Sequence, residues 1–220
     1  MTKLIPNQKA SRLALIISIL GLILYNWWIF VFFRPGLIKS PNELFSNLEI
    51  TGQPFAWAMQ RTDILSGILL IIALAMIYRK ANRLDFKEWA AVLLFGVFGS
   101  IGGIFSESCA DEISASCRAA EWGFRLPLHH YIHMLAGVAE FAAITYSLYL
   151  AHTRTKNQVN RPGKVYKFLW RSAFYAYPLL GIAYIFDIYG AIMEIVFFIG
   201  FTILIVEHFI EWTKKSPGPT

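Results

Sequence analysis

The stretch HHYIHMLAGVAE brings three of the chain's five histidines, His129, His130 and His133, close together and sets Glu140 seven residues beyond the last of them. Residues three or four apart share a helix face, so His133 faces the same way as each of the other two and Glu140 continues the stripe. Imidazoles with one or two carboxylates form a donor set for a divalent metal, here zinc, which with an open position would activate water for hydrolysis. Glu107 and Asp111 are also four apart, and on a helix persisting through Cys109 either could complete such a site or act as its general base. Asp63 is the third catalytic candidate, and Ser66, Glu140, Asp187 and Glu194 are candidates for contacting substrate. The same groups without a metal would bind a cationic or polar headgroup or respond to protons, because histidine titrates near neutrality and facing carboxylates raise its pKa. Each residue also has a structural reading: Asp63 can cap a helix start in TDILSG, and His129 and His130 after LPL can lie at an interface.

The elements that must position these groups are membrane helices. Of the 220 residues 56% are hydrophobic and 15% charged, with mean hydropathy +0.50, which is a membrane composition. Six apolar segments, about 12–33, 61–78, 89–108, 130–150, 168–186 and 188–210, are long enough to cross roughly 30 Å of hydrocarbon as helices. They lack the alternation a strand needs, and backbone groups in lipid must be satisfied within the segment. The fold class expected is an all-α integral membrane bundle of six helices in one domain, with a disordered tail over 213–220.

With both termini cytoplasmic, 15 of the 20 lysines and arginines fall on the inner side, the bias that sets orientation. The net charge of +6 is therefore a topology signal, and no nucleic acid is implied. The first segment has the basic start of a signal peptide, but its body is long and aromatic and no small-residue cleavage site follows, so it reads as a retained span. Trp27 and Trp28 are expected near the outer interface. Cys109 and Cys117 share the outer loop between the third and fourth spans, where an oxidising environment favours a disulfide. The long first outer loop, RPGLIKSPNELFSNLEITGQPFAWAMQR, is expected to cap the bundle or line its mouth.

This topology brings Asp63, Glu107, Asp111, His129, His130, His133, Asp187 and Glu194 to one level near the outer leaflet, with Glu140 deeper. An ionisable side chain in hydrocarbon costs at least a few kcal/mol on insertion scales, about 2.5–3.5 for Asp at a helix centre, so each is a site candidate. A polar cavity walled by several helices satisfies them together. The readings that compete are a metal-dependent hydrolase or lipid-modifying enzyme, a non-enzymatic lipid- or headgroup-binding protein with a sensory or protective role, and a transporter component with a path from Glu140 toward Glu207 and His208. The glycines of GSIGGIF, Gly99, Gly102 and Gly103, are read as helix-packing positions. The partners expected are membrane lipid and, in a homo-oligomer, further copies of the chain.

FAWAMQRTDILSGILL, FGSIGGIFSES and LPLHHYIHMLAGVAEFAA together resemble a bacterial family of six-span membrane proteins classed as a domain of unknown function and grouped distantly with Frag/DRAM/Sfk type membrane proteins. Gly102, Gly103 and Phe105 match the Gly-rich exit of the family's third span, and His133, Ala136 and Phe141 match its fourth. The chain departs from that pattern in the Cys109–Cys117 loop and in having His129 and His130 beside His133. The resemblance implies an integral fold in a bacterial plasma membrane and no particular activity.

Overall fold

The computed structural model describes residues 8–32, 34, 44–78, 83–111, 114–155, 163–186 and 190–214. These residues form helices α1 (Gln8–Asn26), α2 (Trp28–Phe32), α3 (Ala56–Ile77), α4 (Arg83–Ile104), α5 (Ala115–Trp122), α6 (Leu128–Thr155), α7 (Gly163–Phe186) and α8 (Gly190–Lys214), with a 3-10 helix at Phe45–Glu49. No strand occurs among the described residues. Five segments are long and apolar enough to cross a membrane: α1 with α2 as one run from Lys9 to Val31, α3, α4, α6 and α8. The chain is a multi-pass helical membrane protein. α7, at the expected fifth span, is a helix of 24 residues.

The long helices form a ring in chain order. α1 packs on α3, α3 on α4, α4 on α6, α6 on α7 and α7 on α8, and α8 closes the ring against α1. Small residues set the tightest of these approaches. A Cβ on Gly67 of α3 would lie 2.3 Å from the Gly96 carbonyl oxygen of α4, and one on Gly103 would lie 2.6 Å from that of Gln60. Without a hydrophobic force between helices in lipid, such approach is what gives the pair its van der Waals contact.

Apolar residues fill the half of the ring away from the disulfide. Leu70, Leu74 and Ile77 of α3, Ile144 and Leu148 of α6, and Phe201, Leu204, Ile205 and Phe209 of α8 are all but completely buried. Toward the middle, Tyr25, Phe95, Phe198 and Phe201 pack edge-on or tilted, with centroids 4.9 to 5.7 Å apart, the spacing at which ring quadrupoles attract.

The loop after α4 departs from the expectation. α4 ends at Ile104, where the chain turns out of the helix, so Glu107 and Asp111 do not share a helix face. The loop builds a short helix of its own, α5, whose first turn is capped by Ser114 accepting from the Cys117 amide at 3.2 Å. Cys109 and Cys117 are bonded, with Cα atoms 6.0 Å apart. α8 continues to Lys214, and 215–220 of the expected tail lie outside the described residues.

An acidic and aromatic cavity as the candidate site

A cavity of about 520 Å³ occupies the disulfide-bearing half of the ring. Five carboxylates line it: Glu49 from the 3-10 helix, Asp63 from α3, Glu107 from the loop after α4, Glu140 from α6 and Glu194 from α8. Among the described residues His133 is the one imidazole in its wall, and no lysine or arginine lines it. The rest is largely apolar and aromatic, with Tyr25, Trp28, Phe45, Phe141, Tyr177 and Phe198.

The first loop supplies the roof. Its 3-10 helix dips into the ring mouth, burying Phe45, Leu48 and Glu49. The Phe45 amide donates to Glu194 Oε2 at 2.6 Å, and its ring stacks on Trp28 at 3.7 Å between centroids. Gln60 at the start of α3 donates to the Glu49 carbonyl at 2.7 Å. Trp28 is thus a buried wall residue, not an interfacial one, because the loop folds in over it. Trp27 does reach a polar partner, donating to Thr62 Oγ1 at 2.6 Å.

The three histidines part company. His130 is 1% exposed. Its Nδ1 accepts from the Ser108 amide at 3.2 Å, so Nε2 carries the proton and donates to Glu121 Oε2 of α5 at 3.1 Å. It ties the disulfide loop to α6. His129 is exposed and pairs with Ser108 Oγ at 3.0 Å. His133 alone enters the cavity. Its Nδ1 donates to the carbonyls of Gly102 at 3.0 Å and Phe105 at 2.7 Å, which leaves Nε2 facing Glu107 Oε1 at 3.5 Å. Among the described residues no three His, Cys, Asp or Glu side chains come together as metal ligands. The helix spacing is as expected; the imidazoles separate because α6 meets two different neighbours, the α5 loop on one side and the ring interior on the other.

Glu140 lies twelve residues into α6, about 18 Å along the helix, and is 6% exposed. Gly99 of α4 makes room for it, since a Cβ there would come within 2.8 Å of Glu140 Oε1. Tyr25 hydrogen-bonds its carboxyl, yet Oε1 has no partner among the described residues, and neither does Glu49 Oε2. Asp63 and Glu49 hydrogen-bond each other, which requires a proton on one of the two carboxyls. Burial pushes the Glu107 carboxyl up to about 7, against the opposing pull of His133.

Of the remaining candidates, Asp111 is buried in the disulfide loop outside the cavity wall, and Ser66 is buried on α3 away from it. Asp187 lies outside the described residues. Glu49 and Tyr25 were not singled out by the sequence. The signal at Glu49 is a lone glutamate between Leu48 and Ile50, in a segment with no hydrophobic period to mark it.

At the other end of the ring a second polar cluster has a different character. Arg154 of α6 makes a fork to Glu88 of α4, at 2.7 and 3.1 Å, and another to Glu211 of α8, at 2.7 and 3.0 Å. His208 stacks on Trp212 and pairs with Ser147 Oγ at 3.1 Å. Glu207 faces outward, and the apolar layer of Leu70, Ile144, Phe201 and Leu204 separates this cluster from Glu140.

The sequence model of a family described as protein of unknown function, DUF998, matches residues 15–209. The chain belongs to the DUF998 family. The span matched takes in every residue lining the cavity and, at the other end, Glu88, Arg154 and His208, so the DUF998 domain and the helical ring coincide. No curated protein and no solved structure matches the chain. The expected grouping with Frag/DRAM/Sfk proteins and the bacterial origin find no support in these comparisons.

Proposed function

We propose that this DUF998 protein is a non-enzymatic membrane binding protein whose cavity takes a cationic headgroup without a metal. The observation that carries the reading is a wall in which the described residues supply five carboxylates, one imidazole and no lysine or arginine, and in which Glu49 Oε2 and Glu140 Oε1 have no hydrogen-bond partner among them. Buried carboxylates without a counter-charge are costly. A cation entering the cavity supplies the missing charge, and the faces of Tyr25, Trp28, Phe45 and Phe198 add the attraction that aromatic cages offer a quaternary ammonium. In the same reading α7 is a sixth span, both termini are cytoplasmic, as the lysine and arginine distribution favours, and the cavity lies toward the outer leaflet.

A metal-dependent hydrolase is the second reading, and one observation favours it. His133 is held by backbone carbonyls through Nδ1 while Nε2 faces a carboxylate, as a metal-bound histidine is held by its outer contacts. A two-ligand site at Glu107 and His133 would have to recruit further donors.

Titrating the purified protein in maltoside detergent with benzyltrimethylammonium, with and without chelator, separates the two. Saturable binding that survives chelator and is weakened by Glu140→Gln supports the binding protein. Binding that is absent, or that appears only with stoichiometric metal lost on His133→Ala, overturns it.

A further inference from the structure

Part of the cavity wall, where α6 packs on α7, is made of residues that are themselves exposed. On α6, Met134, Gly137 and Val138 line it, and on α7 Tyr177, Pro178 and Gly181 do. Several of these residues are also exposed on the outer face of the ring: Val138 at 56%, with Pro178 and Gly181 in the same class. A Cβ built on Gly137 or Gly181 meets nothing within 4 Å. These glycines therefore differ from Gly67 and Gly103, where a Cβ would strike the neighbouring helix. They flank a gap, and the gap joins the cavity to the surface that faces lipid.

Two further features belong to this gap. Tyr177 crosses it, its hydroxyl donating to the Val138 carbonyl at 2.8 Å. Pro178 lies inside α7 and cannot donate to the carbonyl four residues earlier, which loosens the helix at that level. The axial route is narrower, because Phe45 is held by Trp28 and Glu194, and Leu48 and Glu49 are buried beneath the roof. Gly137 lies nine residues into α6, about 14 Å along a helix of about 42 Å, which is hydrocarbon depth in a bilayer.

The geometry points to a lateral portal between α6 and α7, through which the cavity takes single-chain cationic amphiphiles from the membrane, the head among Glu49, Asp63, Glu140 and Glu194 and the chain lying out between Gly137 and Gly181. The inference rests on the cation-binding reading above and adds the ligand's chemical class and its path. Charge selects the head: Glu140 lines the cavity and is deeply buried, and its Oε1 has no hydrogen-bond partner among the described residues. The chain needs no site of its own in the ring interior, because the portal leaves it in contact with lipid.

A dodecyltrimethylammonium carrying a photoreactive diazirine at the far end of its chain tests this, with the full-length protein in maltoside detergent and benzyltrimethylammonium as competitor for the head. The expected result is competed labelling mapped by mass spectrometry to 134–138 of α6 and 177–181 of α7, and loss of that labelling per bound probe in Gly181→Phe, which fills open space. Competed labelling on the roof or on α1, or labelling at the portal that Gly181→Phe leaves unchanged, overturns the portal while the cation site stands. Labelling that benzyltrimethylammonium fails to compete anywhere overturns the cation site, and the portal with it.

Discussion

The two ends of the ring hold buried carboxylates in opposite ways. At the Arg154 end, Glu88 and Glu211 share one guanidinium that meets each with two hydrogen bonds, so the acids are satisfied within the protein. At the disulfide end, five carboxylates surround a space, and among the described residues no arginine or lysine lines it and two of the carboxylate oxygens have no partner. A satisfied cluster joins helices. An unsatisfied one beside an open volume is arranged for something that arrives. On the proposed reading, α4, α6 and α8 form a structural clamp at one end and a binding wall at the other.

The largest effect expected is at the clamp. Arg154→Leu removes the guanidinium that two buried carboxylates share and should destabilise the protein by about 3–5 kcal/mol, read as denaturant or thermal unfolding in detergent. Combining it with Glu88→Gln and Glu211→Gln should return a large part of that loss. Next is the covalent staple of the cavity end: replacing Cys109 and Cys117 by serine opens a loop of sequence separation 8 and should cost about 2–3 kcal/mol on the chain-entropy account. Unfolding under oxidising and reducing conditions checks it.

The comparison is sharpest when one substitution is made at each end. Glu88→Gln should destabilise by at least about 1–3 kcal/mol, because it weakens a charge-assisted pair. Glu140→Gln should leave stability within about 1 kcal/mol of the parent or raise it, since the buried carboxyl oxygen it replaces has no partner among the described residues. Equal losses at both ends would break the distinction between clamp and binding wall.

A further effect is in pH. Glu107 is held near 7 by burial, above its ordinary value of 4.5. Between those values the folded state binds more protons at this group than the unfolded state does, so its contribution to stability falls as pH rises from about 4.5 to about 7. Cation binding should run the other way, strengthening as Glu107 ionises near pH 7. In Glu107→Gln both slopes should flatten, as measured by unfolding and by benzyltrimethylammonium titration across that range.

The long helices were legible because hydrocarbon demands long apolar segments with internally satisfied backbones, and segments such as 61–78 and 130–150 meet that demand plainly. Convergence was legible in part: His133, Glu140, Asp63, Glu107 and Glu194 line one cavity, while Asp111, His129 and His130 are not in its wall. What sequence could not resolve was which neighbour each face would meet. His130 and His133 are three apart on α6, yet one turns to Glu121 and the other to Glu107, a matter of how the α5 loop packs. Glu49 and Phe45 escaped notice because a 3-10 helix that folds back into a ring mouth has no hydrophobic period of its own. Arg154 and Glu211 read as inner-face charges near helix ends, since nothing in their spacing shows that α4, α6 and α8 converge there.

The most direct test of the central claim is equilibrium titration of the metal-free protein with benzyltrimethylammonium, beside a neutral analogue in which carbon replaces the ammonium nitrogen. The cavity predicts saturable one-to-one binding of the cation, little binding of the neutral isostere, and loss of the difference in Glu140→Gln with Glu49→Gln. Equal binding of cation and isostere, or binding of neither, would contradict a cavity built around unpaired carboxylates.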